Sequence, residues 1–245
     1  MEIFKEYGIE FFARYAHVIS GITWIGLLYY FNFVQTPAFA QFEAPARNEA
    51  FAKLVPRALW WFRWAAASTF AFGLLLFALG SGGDNAPFDN MKSIQTITIL
   101  AGMLFGTIMF LNVWLVIWPN QKIVIANAEG VLAGREADPA APVAARKGAC
   151  ASRTNTLLSI PMLFFMIAAG HFVAGGGFDF EPSAGKRVAW YLVILVVAGV
   201  TEANALRAPA AGKPEAWYID DHKNTIIAGF VLVAVLYLIM ELLFG

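Results

Sequence analysis

The stretch FFARYAHVISGITWIGLLYYFNF, residues 11–33, decides the architecture. It is apolar enough, and at 23 residues long enough, to cross the ~30 Å hydrocarbon core of a bilayer as a helix, the geometry in which a single segment satisfies its own backbone groups. Working outward, comparable apolar runs recur at residues 59–79, 97–118, 156–174, 188–206 and 225–244. Strand-like alternation is absent. With 59% hydrophobic and only 14% charged residues in 245, the chain reads as an all-α, polytopic transmembrane bundle of about six spans, with residues 1–245 forming one transmembrane domain surrounded by membrane lipid. The first run is flanked by Glu2, Glu6 and Glu10 and lacks a small-residue cleavage pattern, so it is expected to be retained as a helix.

An even number of spans places both termini on one side, and the basic residues can then be sorted by loop. Lys5, Arg14, Lys92, Lys186 and Arg187 fall on the side of the termini. The other twelve of the 17 Lys and Arg are Arg47, Lys53, Arg57, Arg63, Lys122, Arg135, Arg146, Lys147, Arg153, Arg207, Lys213 and Lys223, all on the opposite side. The positive-inside rule makes that second side cytoplasmic and both termini periplasmic. Residues 119–155 are then a long cytoplasmic loop joining two three-helix halves, with residues 133–149 as an exposed linker on a helical hairpin. Residues 80–90 and 175–185 are expected as outward turns. A formal net charge of zero, with no concentrated basic face on a soluble module, gives no nucleic-acid reading. The lone Cys150 excludes an internal disulfide and a Cys-x-x-Cys-His attachment for covalent haem.

Two intramembrane histidines carry the sharpest chemical signal. His17 and His171 fall at similar depth near the same face, and imidazoles from facing helices make an axial pair for haem iron or, less favourably, a copper site. Gly21, one turn from His17, and Gly175, one turn from His171, would leave room for a flat macrocycle, with Trp24 lining the same face. Glu241 is a candidate to orient a liganding imidazole. The competing reading is that both histidines are packing glue between helices. Haem b, bound noncovalently by His17, His171, Gly21 and Trp24, is the expected cofactor. Pro161 is expected to kink the fourth span, and Gly102 with Gly106 forms a Gly-x-x-x-Gly pair suited to close contact within the bundle or in a homo-oligomer.

A second polar set gathers toward the opposite side: Asn32, Gln35, Arg63, Asn112, Arg153, Asn155, Glu202 and the run from Asp220 to Asn224. Capping is the plain reading for Arg153, Asn155, Asp221 and Asn224. An anion or substrate site built from Arg153, Asn155, Asn112 and Glu202 is the functional one. The tryptophans at span ends read as interface anchors.

Three strings give the chain a wider context: HVISGITWIGLLYYFNF from His17, NVWLVIWPNQK from Asn112 and SRTNTLLSIPMLFFM from Ser152. In this order they resemble the membrane domain of the bacterial cytochrome c-coupled urate oxidase family. The first string is also similar to the start of membrane protoporphyrinogen oxidases and of copper-resistance membrane proteins. The resemblance implies a bacterial inner-membrane oxidoreductase acting on urate, a small anionic purine, and passing electrons to cytochrome c. No cytochrome domain follows before Gly245, so a separate cytochrome c partner is expected. The family commonly carries a histidine between the Arg and Asn where Thr154 stands here. The alternative expectation is a non-catalytic subunit of a larger respiratory or photosynthetic membrane complex.

Overall fold

A computed structural model describes residues 6–79, 92–174 and 181–245, with side chains over 8–79, 92–171 and 181–245. Among the described residues every regular element is helical, and six helices are long and apolar enough to cross a membrane. The first runs as α1 (Glu6–Tyr29), a π-helical segment π1 (Tyr30–Gln35) and α2 (Thr36–Gln41). A surface helix α3 (Ala44–Lys53) leads into α4 (Val55–Leu79). The third is again composite: α5 (Ile94–Leu111), π2 (Asn112–Ile117) and α6 (Trp118–Leu132). Then come α7 (Ala141–Ala174), α8 (Ala184–Arg207), the short α9 (Trp217–Asp220) and α10 (His222–Phe244).

The two π segments have a shared local cause. Each ends two residues before a proline, Pro37 after π1 and Pro119 after π2. A proline ring inside a helix collides with the carbonyl four residues back and removes one ladder bond. A widened turn moves that carbonyl aside and bonds five residues apart, as between the Trp118 amide and the Val113 carbonyl. The π segments carry the buried amides Asn32 and Asn112.

Residues 119–155 form the expected helical hairpin, but with far less loop than expected. Only residues 133–140 lie outside helix, and they make a tight turn in which Gly134 takes φ +79° and the Arg135 amide bonds the Gly130 carbonyl at 2.9 Å. The linker is shorter than residues 133–149 because alanine, a strong helix former, is abundant there. Pro142 sits where a helix tolerates it, as the second residue of α7, and Pro119 is accommodated by the π2 turn. At ~1.5 Å per residue the 39-residue composite helix and the 34-residue α7 reach roughly 58 and 51 Å, well beyond a ~30 Å core. They therefore project as a helical hairpin from one end of the bundle, with α3 packed on α6.

At the centre α7 packs closely on α5. A Cβ on Gly102 would meet the Met162 carbonyl oxygen at 3.2 Å and the Met166 amide at 3.3 Å, and Gly106 also faces Met162. The Gly-x-x-x-Gly pair is thus used inside the chain. On the far side of α7, Pro161 has no amide to offer the Leu157 carbonyl, which lies 3.2 Å from where a Cβ on Gly229 of α10 would stand. The helix continues through Pro161 to Ala174. The expected turns at residues 80–90 and 175–180, and Gly175 with them, lie outside the described residues.

Candidate functional site

The polar residues at mid-helix converge on one stretch of α7, Ser152 to Ser159. Asn155, fully buried, gives its Nδ2 to the Met109 carbonyl at 2.9 Å, and its Oδ1 accepts from Asn112 Nδ2 at 3.0 Å. The same Asn112 nitrogen donates to Glu202 Oε2 at 2.9 Å. Helices α5–π2, α7 and α8 are joined in this way by one amide–amide–carboxylate chain. On a neighbouring face of α7, Asn32 of π1 donates to Ser152 Oγ at 2.9 Å and to the Leu28 carbonyl at 2.8 Å, and the Tyr29 hydroxyl pairs with Ser159 Oγ at 2.9 Å. π-helical turns are frequent at functional sites, and here both deliver an asparagine to the same helix.

Three of the four expected substrate residues, Asn112, Asn155 and Glu202, are therefore in contact. Arg153 is not. Two residues along a helix turn the side chain by about 200°, so Arg153 leaves α7 on nearly the opposite face from Asn155. It is 6% exposed, and its Nη1 has no hydrogen-bond partner. The nearest charges acting on it are Asp221 and Asp220. Thr154, fully buried, also has an unpartnered hydroxyl. Leaving such groups unmet in a protein interior is costly, so both are places where a ligand or water would be favourable.

Outside the spans, Asp220 ties the hairpin end together. It accepts from Arg146 Nη1 at 2.7 Å and from the Gly212 amide at 2.8 Å, while Arg146 also donates to the Pro209 carbonyl. Burial pushes the Asp220 carboxyl up, but the Gly212 and Arg146 hydrogen bonds and the charges of Arg146 and Arg153 more than offset it, leaving it below its ordinary value. Asp221 caps α10 by accepting from the Asn224 and Lys223 amides, which hold its carboxyl below the usual range. Capping is thus what Asp221 does. Asn224 instead donates its side-chain amide to the Trp217 carbonyl.

The histidines go to different neighbours. His17 Nδ1–H donates to the Thr69 carbonyl of α4 at 2.8 Å, and its ring lies against Gly73, where a Cβ would stand 2.9 Å from Cε1. Gly21 also faces α4, with Thr69 Cγ2 at 3.7 Å from its notional Cβ, and Trp24 is 3% exposed in the core with an unpartnered indole N–H. His171 is exposed on α7 beside a shallow hollow bordered by Phe164, Ile167 and Ala168. Glu241 engages the Tyr237 hydroxyl of its own helix. The Thr69 bond engages Nδ1 of His17 alone, and Gly21 packs on α4 in ordinary van der Waals contact. Among the described residues no group of three or more His, Cys, Asp or Glu is placed to hold a metal ion.

Fold and site together define a multi-pass membrane protein in which two buried amides and a half-buried carboxylate meet at the junction of three helices. Comparison with protein families adds the next step: residues 88–203 match the family described as Urate oxidase N-terminal. No curated protein and no solved structure matches the chain. Asn112, Arg153, Asn155 and Glu202 all lie within the matched segment, whereas His17 lies outside it. What sequence reading missed is the π geometry that delivers Asn32 and Asn112, although Pro37 and Pro119 were its visible signal.

Proposed function

We propose that the chain is a urate oxidase-like oxidoreductase of the bacterial inner membrane, handling a small anionic purine at the Asn112–Asn155–Glu202 cluster and delivering electrons to a cytochrome c partner. One observation carries this reading: the family-matched segment contains all four candidate residues, and three of them are hydrogen-bonded together inside the bundle. Oxidation of urate to 5-hydroxyisourate consumes one water and releases two protons and two electrons, the electrons leaving singly to two cytochrome c molecules. Among the described residues of the cluster Glu202 is the one carboxylate, so it is the group placed to take up a proton. Asn112 and Asn155 hold it in position. Arg153, on nearly the opposite face of α7, lies outside that cluster, and its unpartnered Nη1 is a separate place that favours an anion.

The test is urate-dependent reduction of added cytochrome c by the full chain in membranes, with Glu202→Gln beside it. The variant keeps the shape and the Asn112 contact but not the basicity, and general-base losses of about 100-fold or more are expected. Activity unchanged in Glu202→Gln, or no urate-dependent reduction by the parent chain, would refute the proposal. A second reading, a non-catalytic subunit of a larger membrane complex, is favoured by Thr154, whose hydroxyl stands unpartnered where the family commonly has a histidine. It is supported if the parent chain neither binds urate nor reduces cytochrome c but purifies with stoichiometric partner subunits.

A further inference from the structure

The hairpin end of the bundle carries a cationic and aromatic ledge that the cluster above does not use. On α4, the Arg63 guanidinium lies over the Trp118 ring, 3.9 Å from its centroid, and 5.8 Å from the centroid of Trp114. Lys122 of α6 approaches the same Trp118 ring at 5.7 Å, and Trp64 packs edge-on against Trp114 at 5.5 Å. Cation–π contact fixes the plane of the guanidinium but does not neutralise it. Arg63 Nε is buried without a partner, and among the described residues neither Arg63 nor Lys122 has a carboxylate within ion-pair distance. The exposed Trp60, Trp61 and Trp64 on α4 mark this level as the membrane interface. Leu111 and Leu115, exposed on α5 and π2, continue from Trp118 toward the middle of the bilayer as an apolar track.

We propose that this ledge between α4 and π2–α6 is a binding site for an anionic phospholipid, with the headgroup phosphate on Arg63 and Lys122 and an acyl chain along Leu115 and Leu111. Charge complementarity selects the occupant. Two cations without carboxylate partners sit at headgroup depth beside an apolar track, which a lipid with net negative charge fills at both ends, as basic pockets between transmembrane helices do. A zwitterionic lipid carries a compensating ammonium that would meet Arg63 and Lys122 unfavourably. The site shares π2 with Asn112, so the lipid braces, from the outside, the same turn that holds the buried cluster.

The test uses the full chain purified in a neutral detergent, with thermal unfolding followed while phosphatidylglycerol, phosphatidylcholine or inorganic phosphate is added, and native mass spectrometry to count retained lipid. Phosphatidylglycerol is expected to raise the midpoint by about 5 °C at saturation, with the other two giving little shift. Lys122→Gln, an exposed position that leaves the fold intact, should roughly halve the phosphatidylglycerol shift, and Arg63→Gln should abolish it and the retained lipid mass. Equal shifts with phosphatidylcholine overturn the proposal, as does a full response to phosphate alone. An unaltered phosphatidylglycerol response in Lys122→Gln does the same, even if Arg63→Gln does not fold.

Discussion

A double-mutant cycle on Asn112 and Asn155 tests the centre of the structure directly. Each asparagine makes two side-chain hydrogen bonds, and one of them is shared. Hydrogen bonds between membrane helices average about 0.6 kcal/mol, with a maximum near 1.7, because the unfolded chain in the membrane also finds partners. On that average, Asn155→Ala and Asn112→Ala each remove about 1.2 kcal/mol, while the double variant loses three distinct bonds, about 1.8 kcal/mol, leaving a coupling of about 0.6 kcal/mol. Asn112→Ala should exceed Asn155→Ala, because it strips the Glu202 carboxylate of its donor in the interior. The assay is reversible unfolding of the four proteins in mixed micelles, read by far-UV circular dichroism. Coupling indistinguishable from zero, or Asn155→Ala costing more than Asn112→Ala, would show that the chain from Met109 to Glu202 is not the arrangement in the membrane.

Other expectations follow from single contacts. Gly102→Ala puts a methyl 3.2 Å from a backbone oxygen of α7, so the helices must part by a few tenths of an ångström, at about 1–3 kcal/mol in the same unfolding assay; a neutral outcome would mean α5 and α7 are not in this contact. Asp221→Ala removes the N-cap of α10 and should cost about 1 kcal/mol, with Asp221→Asn losing much less. The Asp220 carboxyl titrates below its unfolded value of about 3.9, so its contribution is full above that pH and is lost as pH falls through the lower folded value. Asp220→Asn should therefore flatten the acid limb of a melting-temperature profile below about pH 4, and a profile superimposable on the parent's in that range counts against the Arg146–Asp220 clamp.

The number of spans and their rough positions were legible because membrane insertion depends on local composition: a helix that satisfies its own backbone needs only enough apolar residues in a row. The polar candidates at Asn112, Asn155 and Glu202 were legible for the same reason, as amide and carboxyl groups stand out where each must find a partner. A helical hairpin within residues 119–155 was legible, but its linker was drawn too long because low hydropathy describes contact with water, which a projecting helix shares with a loop; packing of α3 and α7 on α6 keeps the stretch helical. The histidines were paired by depth alone. Depth is a one-dimensional quantity fixed by position along a span, but rotation about the helix axis decides which neighbour a side chain meets. That rotation sends His17 to Thr69 and leaves His171 beside Phe164 on the outside of α7. It also separates Arg153 from Asn155 by more than half a turn, and brings Asn32 and Asn112 onto α7 through two widened turns. The sequence alone determined what each residue needs and how deep it lies, while only the packing of α7 among its neighbours decided which of those needs are met together.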